Sequence, residues 1–214
     1  MRLVRGIERQ LERLIESPAR VFGGGLSDSE LEARLFRAGD LALMTGPTGP
    51  TAPNHYELTL HPRDIRSLPN DASRKLAAAV ERNAAERGWR LDGPGKVTLR
   101  ADPTASKGTI GWSTFTVRGE VAPWARLVSS DRTIQIRYNR SLIGRDPDCD
   151  LVIPHRQVSR DHALIWREGG STLIEDRGST NGTFVDGYGV PRPTVLRPEV
   201  TITLGPVSFV FEPL

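Results

Sequence analysis

The sequence predicts a small α+β domain over residues 1–118 and an all-β antiparallel sandwich over residues 125–214, joined by a short linker at 119–124. The first prediction rests on apolar residues at helical spacing, mixed with a few alternating, strand-like runs. The second rests on many short apolar runs separated by Gly, Pro, Asn and Asp, which is typical of antiparallel sandwiches. A chain of 214 residues is long enough for two small domains.

Composition indicates a globular protein and limits its partners. Hydrophobic residues make up 37% of the chain and charged residues 26%, which is ordinary for a folded domain. The net charge is only +3 and no block of Lys and Arg stands out, so nucleic acid is not an expected partner.

Cysteine usage and hydropathy predict the compartment. The single cysteine, Cys149, excludes an internal disulfide and fits a reducing environment. No apolar run approaches the roughly 20 residues needed to span a bilayer, and no signal peptide is evident at the start. We therefore expect a cytoplasmic protein without a membrane span, which its partners could recruit to the inner face of the membrane.

The N-terminal domain is predicted to run helix, helix, strand, helix, strand, strand. Residues 3–22 carry apolar side chains on one helical face. A second stripe on that helix is basic, which would suit anionic lipid or RNA, but interleaved acids favour a solvated face. The basic residues are Arg5, Arg9 and Arg13, and the acids are Glu8, Glu12 and Glu16.

Ser27 and Glu30 have the S-x-x-E spacing of a capping box, which predicts the start of the second helix. Its expected buried stripe consists of Leu31, Leu35, Phe36 and Leu41. The three prolines within residues 45–53 predict a loop. Residues 46–49 in that loop fit the G-x-x-G of a KH nucleic-acid clamp, but they carry no positive charge, which favours an ordinary turn.

Alternation and helical spacing predict the remaining N-terminal elements. They are a strand at 55–60, a helix from about residue 70 to 87 with Leu76, Val80 and Ala84 facing inward, and strands at 96–100 and 109–117. In the C-terminal domain, short strands are predicted at 126–128, 133–137, 141–143, 151–153, 163–166, 172–174, 195–196, 200–204 and 207–211.

Three polar segments within residues 143–187 organise the C-terminal domain, at 144–147, 158–162 and 176–183. Strand-like apolar runs separate them, so these segments fall at strand ends and in the loops between strands. A sandwich displays its binding groups at such places.

The residue types in these segments indicate a site for an anion. Arg145 can present a planar fork of donors, which suits phosphate or carboxylate. Ser159, Arg160 and Thr180 add further donors, and the amide of Asn181 can bind both N–H and C=O of a peptide backbone. No obvious base or nucleophile accompanies them, which favours binding over catalysis.

These motifs resemble the forkhead-associated (FHA) domain. The resemblance covers roughly residues 125–214 and rests on Gly144-Arg145, Ser159-Arg160-Asp161-His162 and Ser179-Thr180-Asn181-Gly182-Thr183 in that order. The preceding helices and strands resemble, in overall pattern, the N-terminal domain of some actinobacterial cell-envelope signalling proteins that carry FHA modules.

The resemblance implies a function and assigns roles. It implies capture of a phosphothreonine segment by Arg145, Ser159, Arg160 and Thr180, with Asn181 holding the peptide main chain. The expected partners are threonine-phosphorylated proteins, either a Ser/Thr kinase or its substrates, including those of cell-envelope synthesis. We expect an adaptor without enzymatic activity or cofactor.

Three residues are expected to support the site rather than to touch the ligand. The histidine that matches the FHA pattern, His162, would brace the loop that carries Ser159. Gly144 and Gly182 are interpreted as positions that the backbone requires.

Other interpretations remain open beside this one. Alternating acids could bind a cation, although they lack the Gly and Glu of an EF-hand loop; they are Asp146, Asp148 and Asp150. Cys149 could sense redox state, and His155 or His162 could bind a metal, although no cluster completes such a site, so no metal is expected. Rival functions are a nucleic-acid-binding adaptor acting through the N-terminal domain and a membrane-surface scaffold using the first helix.

Overall fold

The computed structural model describes residues 14–15 and 27–214. The chain separates into two compact units. The first contains residues up to Met44 together with Thr51–Ala84 and Leu91–Gly119, and the second contains Thr45–Pro50, Ala85–Arg90 and Glu120–Leu214. Among the described residues, no helix is both long and apolar enough to cross a bilayer.

The N-terminal half mixes helices with a small sheet, as predicted. In chain order its elements are β1 (Leu14–Ile15), α1 (Asp28–Leu41), β2 (Met44–Gly46), β3 (Gly49–Thr51), β4 (His55–Leu60), α2 (Pro62–Ser67), α3 (Ala72–Glu86), β5 (Lys96–Ala101) and β6 (Ile110–Phe115). The four-stranded sheet has the order β1-β6-β4-β5, with β4 parallel to β5 and antiparallel to β6. Strands β2 and β3 form a separate two-stranded sheet.

Local sequence explains these elements. The Ser27 side chain accepts a hydrogen bond from Glu30 N at 3.3 Å, so the predicted cap begins α1. Leu31 and Leu35 of α1 are buried in one apolar cluster with side chains of β4, β5 and β6. Leu76 and Val80 of α3 join the same cluster, as their helical spacing predicted.

Several N-terminal predictions need correction. At Leu14 and Ile15 the chain forms a strand paired with β6, so the predicted helix over 3–22 is wrong there; the rest of that helix, with its basic stripe, lies outside the described residues. Leu41 ends α1 with 51% of its surface exposed, so it does not extend the buried stripe. The loop predicted at 45–53 contains β3 and all of β2 except Met44.

Helix α2 was not predicted. It begins with Pro62 in its first turn, and the His61 side chain accepts a hydrogen bond from Arg63 N at 3.1 Å. Proline is favoured at this position because its missing N–H would have no helical partner. A short helix with no buried residue shows no apolar stripe to recognise.

The C-terminal elements alternate with short loops. They are β7 (Ala125–Val128), β8 (Thr133–Ile136), β9 (Ser141–Gly144), β10 (Leu151–Val152), β11 (Ala163–Glu168), β12 (Ser171–Asp176), β13 (Thr183–Val185), β14 (Tyr188–Gly189), β15 (Thr194–Leu196), β16 (Thr201–Leu204) and β17 (Val207–Pro213). One sheet has the order β10-β9-β11-β12-β15 and the other β14-β13-β16-β17-β7-β8.

Side chains from both sheets form one apolar core, which makes this unit a sandwich. The core includes Ile143 and Ile165 from one sheet and Leu127 and Phe209 from the other, each at most 1% exposed. The predicted antiparallel sandwich is confirmed, with β9 and β10 as a parallel pair. Strands β13 and β14 were not predicted.

The strands place the three polar segments in neighbouring loops. One follows β9, the second precedes β11, and the third joins β12 to β13. Since β9, β11 and β12 are adjacent in their sheet, residues that are distant in sequence can meet at this edge of the sandwich.

Candidate functional site

Backbone hydrogen bonds hold the first two polar segments side by side. Arg145 N donates to Ser159 O at 3.0 Å, and Asp146 N donates to Arg160 O at 3.4 Å. The third segment joins through Thr180 N, which donates to the Ser159 hydroxyl at 3.0 Å. Ser159 is therefore the point at which all three predicted segments meet.

A groove of about 530 Å³ opens over this junction. Its lining consists of Arg145, Asp146, Ser159, Arg160, Asp161 and Thr180. The structure thus brings together four of the five predicted phosphopeptide-binding residues. Asn181 follows Thr180 in the sequence but does not line the groove. Asp161 had no predicted role, and Asp146 had been considered only as part of a possible cation site.

The two groove arginines remain available to a ligand. Arg145 and Arg160 are exposed, and neither guanidinium forms an ion pair or hydrogen bond with another residue in the described ranges 14–15 and 27–214. The Ser159 oxygen accepts one hydrogen bond, which leaves its O–H free to donate. These groups are donors and positive charges facing one open space.

Asn181 is oriented by the chain before it binds anything. Its Nδ2 donates to Gln157 O at 2.8 Å. An amide has two N–H donors and a carbonyl acceptor, so one donor and the acceptor remain for an external partner. The exposed side chain is thus held by Gln157 O with one N–H donor and its carbonyl acceptor still available.

His162 lies beneath the groove and is fully buried. Its Nδ1 accepts a hydrogen bond from Ser159 N at 3.1 Å, so Nε2 carries the proton and donates to Gly182 O at 3.1 Å. Burial lowers the pKa of His162, although the Gly182 carbonyl and Asp176 act in the opposite direction. A neutral ring therefore connects two site loops, which are the contacts that the expected bracing role needs.

Asp176 organises the third loop, and sequence reasoning gave it no role. Its carboxylate accepts from Gly178 N and Ser179 N at 2.9 Å and from the hydroxyls of Ser179 and Thr183 at 2.6 Å. Burial opposes ionisation, but these hydrogen bonds lower the pKa of Asp176 below its ordinary value. An aspartate followed two and three residues later by Gly and Ser is typical of such a turn.

Gly144 is required because two segments of the backbone approach each other closely here. A Cβ at this position would lie 1.8 Å from the backbone oxygen of Arg160, which no side chain could tolerate. Gly182 has a φ of +79°, a backbone conformation that favours glycine. Both expected backbone roles therefore have a steric reason.

The alternative roles receive no support from the geometry. Cys149 is buried, and burial together with Asp161 and Asp146 raises the pKa of its thiol to about 11, so it is not a reactive thiolate. Asp150 is already paired with Arg90 at 2.8 Å. Within residues 14–15 and 27–214, no three His, Cys, Asp or Glu residues are arranged to hold a metal.

Two family models match the sequence. The model for the N-terminal domain of FhaA matches residues 4–113, and the model for the FHA domain matches residues 141–205. The first match spans more than half of the chain.

Curated relatives match part of the chain. The chain is 42% identical over 57 residues to the FHA domain-containing protein FhaA of Mycobacterium tuberculosis, which covers 27% of this chain and 11% of that protein. It is 32% identical over 126 residues to the ABC transporter ATP-binding/permease protein Rv1747 of the same organism. That match covers 58% of this chain and 14% of that protein. The chain thus spans less than a fifth of the length of these relatives.

Solved structures include single FHA domains. One described as the FhaA FHA domain complexed with the intracellular domain of Rv3910 is 33% identical and covers 42% of this chain and 100% of that one, with a TM-score of 0.38. Another, from an analysis of phosphothreonine-dependent FHA domain interactions, is 34% identical with coverages of 42% and 96% and a TM-score of 0.38. With its two matched domains, the chain belongs to the FhaA family and carries an FHA domain behind an FhaA N-terminal domain.

Proposed function

We propose that this chain is an adaptor in Ser/Thr kinase signalling that binds phosphothreonine segments of its partners. The observation that carries the proposal is the groove at Ser159, where two exposed arginines, without a partner among the described residues, lie beside hydroxyl donors. A phosphate monoester has three acceptor oxygens and nearly two negative charges at neutral pH, which such a set of donors complements.

Each predicted residue has a distinct part in this proposal. Arg145 and Arg160 supply charge and N–H donors to the phosphate. The hydroxyls of Ser159 and Thr180 donate to its remaining oxygens. Asn181, held by Gln157 O, binds the peptide main chain through its free N–H and carbonyl. His162, Gly144 and Gly182 keep the loops in place without touching the ligand.

The groove favours binding over chemistry. Catalysis by acyl or phosphoryl transfer would need an activated nucleophile next to a base, whereas the Ser159 hydroxyl oxygen accepts from a backbone N–H. The nearest histidine, His162, uses both ring nitrogens for backbone hydrogen bonds. The groove therefore offers donors that hold a phosphate rather than groups that transfer it.

The relatives support the choice of ligand. A solved FHA structure 34% identical to this chain comes from work on phosphothreonine-dependent interactions. We further propose that the phosphorylated partner is a Ser/Thr kinase or one of its substrates, including substrates that act in cell-envelope synthesis. We also propose that the protein is cytoplasmic and that a phosphorylated partner recruits it to the inner face of the membrane. We also propose that residues 1–118 form the α+β domain and that residues 125–214 form the phosphopeptide-binding sandwich.

A degenerate peptide library with phosphothreonine fixed at its centre tests the proposal. The full chain should retain the phosphorylated library and not the same library after phosphatase treatment. Individual retained sequences should bind with micromolar dissociation constants in calorimetry and should lose affinity when phosphothreonine is replaced by threonine. Equal retention before and after phosphatase treatment would refute phosphate recognition.

A further inference from the structure

Two Arg-Asp dipeptides line the groove, and only their arginines have a part in phosphate binding. They are Arg145-Asp146 and Arg160-Asp161. The two dipeptides lie on neighbouring segments of the backbone. Arg145 N donates to Ser159 O, and Asp146 N donates to Arg160 O. The lining therefore carries two positive and two negative side chains at neutral pH.

The opposite charges do not neutralise each other internally. In the part of the chain that the structure describes, none of the four side chains forms an ion pair within 4.0 Å. Asp146 Oδ1 accepts a hydrogen bond from Asp148 N at 3.1 Å, which is a local turn contact. Asp161 is exposed, and its carboxylate has no hydrogen-bond partner among the described residues.

Carboxylates in this position oppose a ligand that is only an anion. Each one repels a phosphate dianion, so a groove for phosphate alone would gain affinity without them. The same charges become favourable when the ligand carries a cation close to its phosphate. Complementary charges of both signs select a partner more than they add to its affinity.

We propose that the groove selects phosphothreonine segments with a lysine or arginine next to the phosphorylated residue, and that Asp161 and Asp146 determine this specificity. The inference rests on the proposed phosphothreonine function of the same groove. Asp161 is the stronger determinant because it is exposed and its carboxylate has no hydrogen-bond or ion-pair partner among the described residues, whereas one oxygen of Asp146 accepts a hydrogen bond from Asp148 N.

The two aspartates act electrostatically on the buried Cys149. The pKa of the Cys149 thiol is raised first by burial, then by Asp161 and then by Asp146. Cys149 Sγ lies 3.2 Å from Arg160 O, directly under the junction of the two dipeptides. Both carboxylates therefore lie close to the same point of the fold, beneath the junction that the groove covers.

The experiment uses the strongest-binding phosphothreonine peptide from the degenerate library as host. Each position flanking the phosphothreonine is changed in turn to Lys and to Gln, and dissociation constants are measured at low and at moderate salt. The proteins are the full chain and its Asp161→Asn, Asp146→Asn and Asp148→Asn variants. Asp148 is the matched control because it is exposed on the same turn without lining the groove.

We expect Lys to bind about two- to five-fold more tightly than Gln at one or more positions, the range of exposed ion pairs. The preference should shrink as salt rises, fall to about one-fold in Asp161→Asn, weaken in Asp146→Asn and persist in Asp148→Asn. The Gln peptide should bind Asp161→Asn at least as tightly as wild type.

Two results would overturn the inference while leaving the proposed function intact. One is phosphate-dependent binding with equal affinity for Lys and Gln at every position. The other is a Lys preference that survives in both Asp161→Asn and Asp146→Asn with unchanged melting midpoints. Binding that ignores the phosphate would instead refute the proposed function itself.

Discussion

The loops of the candidate site have two sides that differ in how their polar groups are used. On the groove side, Arg145 and Arg160 are exposed and have no internal partner among the described residues. On the buried side, both ring nitrogens of His162 form hydrogen bonds with loop backbone, and the Asp176 carboxylate accepts a hydrogen bond from the buried Thr183 hydroxyl. The groove side can therefore bind a ligand, whereas the buried side holds the loops in shape.

A comparison of Arg90 with Arg145 supports the same distinction. Arg90 forms two hydrogen bonds to the Asp150 carboxylate, at 2.9 and 2.8 Å, and both side chains are about 15% exposed. Asp150 in turn accepts from Leu142 N at 2.9 Å. Arg90 has thus the same chemistry as Arg145 but a structural use. Available hydrogen-bonding capacity, rather than residue type, distinguishes the arginines that could bind a ligand.

The largest expected effect is the loss of phosphopeptide binding in Arg145→Ala. A charge-assisted anchor of this kind contributes on the order of 2–4 kcal/mol, so affinity should fall roughly 30- to 1,000-fold. Stability should change little because the guanidinium is exposed and has no hydrogen bond or ion pair with the described residues. Titration calorimetry and a melting curve on the same sample measure both quantities.

Arg197→Ala is the matched control for charge, since Arg197 is exposed and lies outside the groove. It should bind the peptide within about two-fold of wild type, as expected for a screened surface charge. Retained affinity in a folded Arg145→Ala variant would remove Arg145 from the site.

His162→Ala should affect stability more than recognition. The change leaves Ser159 N and Gly182 O without their buried partner, which costs about 1–3 kcal/mol and lowers the melting midpoint by several degrees. The control is His155→Ala, which removes only a local contact from Gln157 N and should shift the midpoint less. Lost binding with an unchanged midpoint would instead make His162 a ligand contact.

His162 also makes stability depend on pH. Its pKa is lowered in the folded chain, chiefly by burial, so the unfolded chain binds a proton more readily. Stability is then full above the unfolded pKa of about 6.5 and falls as pH drops through it, by at most about 1.4 kcal/mol per pH unit for one proton.

Protonation at Nδ1 would also remove the acceptor of Ser159 N, so a protonated His162 could not keep both of its hydrogen bonds. Denaturant unfolding at pH 7, 6 and 5 measures the effect, and His162→Ala should flatten the profile over this window. A wild-type profile no steeper than that of the variant would rule out His162 as the titrating group.

The smallest expected effect is a several-fold loss of peptide affinity below about pH 6. The second pKa of phosphothreonine is near 6, and the groove should prefer the dianion because two arginines stay charged throughout this range. Binding therefore lowers the pKa of the bound phosphate, and affinity declines as pH falls. Dissociation constants at pH 5, 6, 7 and 8, with folding verified at each pH, measure this.

An aspartate peptide provides the complementary test of shape and charge. A carboxylate offers one charge and a planar arrangement of two oxygens, so it should bind far more weakly than the phosphate. Equal binding of the two peptides, or a flat pH profile, would show that the groove does not recognise a dianionic tetrahedral group.

Residues with a local physical signature were predictable from the sequence. Ser27 was recognised as a cap because the S-x-x-E spacing is a local pattern, and the strand at His55–Leu60 was recognised from its alternation. The groove residues were recognised because Arg, Ser, Thr and Asn occur in three ordered polar segments. Each of these signals lies within a few residues along the chain.

The missed elements depend on local turn chemistry or on long-range contacts. Strands β13 and β14 are joined by Asp186 and Gly187, both at positive φ, so an Asp-Gly hairpin signal was present but hidden in a polar stretch. The role of Asp176 depends on Thr183, which follows it by seven residues and reaches back to it. Likewise, Asp146 and Asp161 line the same groove only because β9 and β11 are neighbouring strands.

The most direct test of the distinction between ligand-binding and structural groups is the NMR signal of arginine Nε–H groups during titration with a phosphothreonine peptide. We expect the Nε–H signals of Arg145 and Arg160 to shift and to exchange more slowly with solvent as the peptide binds. The signal of Arg90, held by Asp150, should stay where it is. A saturating peptide that shifts Arg90 and leaves Arg145 and Arg160 unchanged would contradict the account.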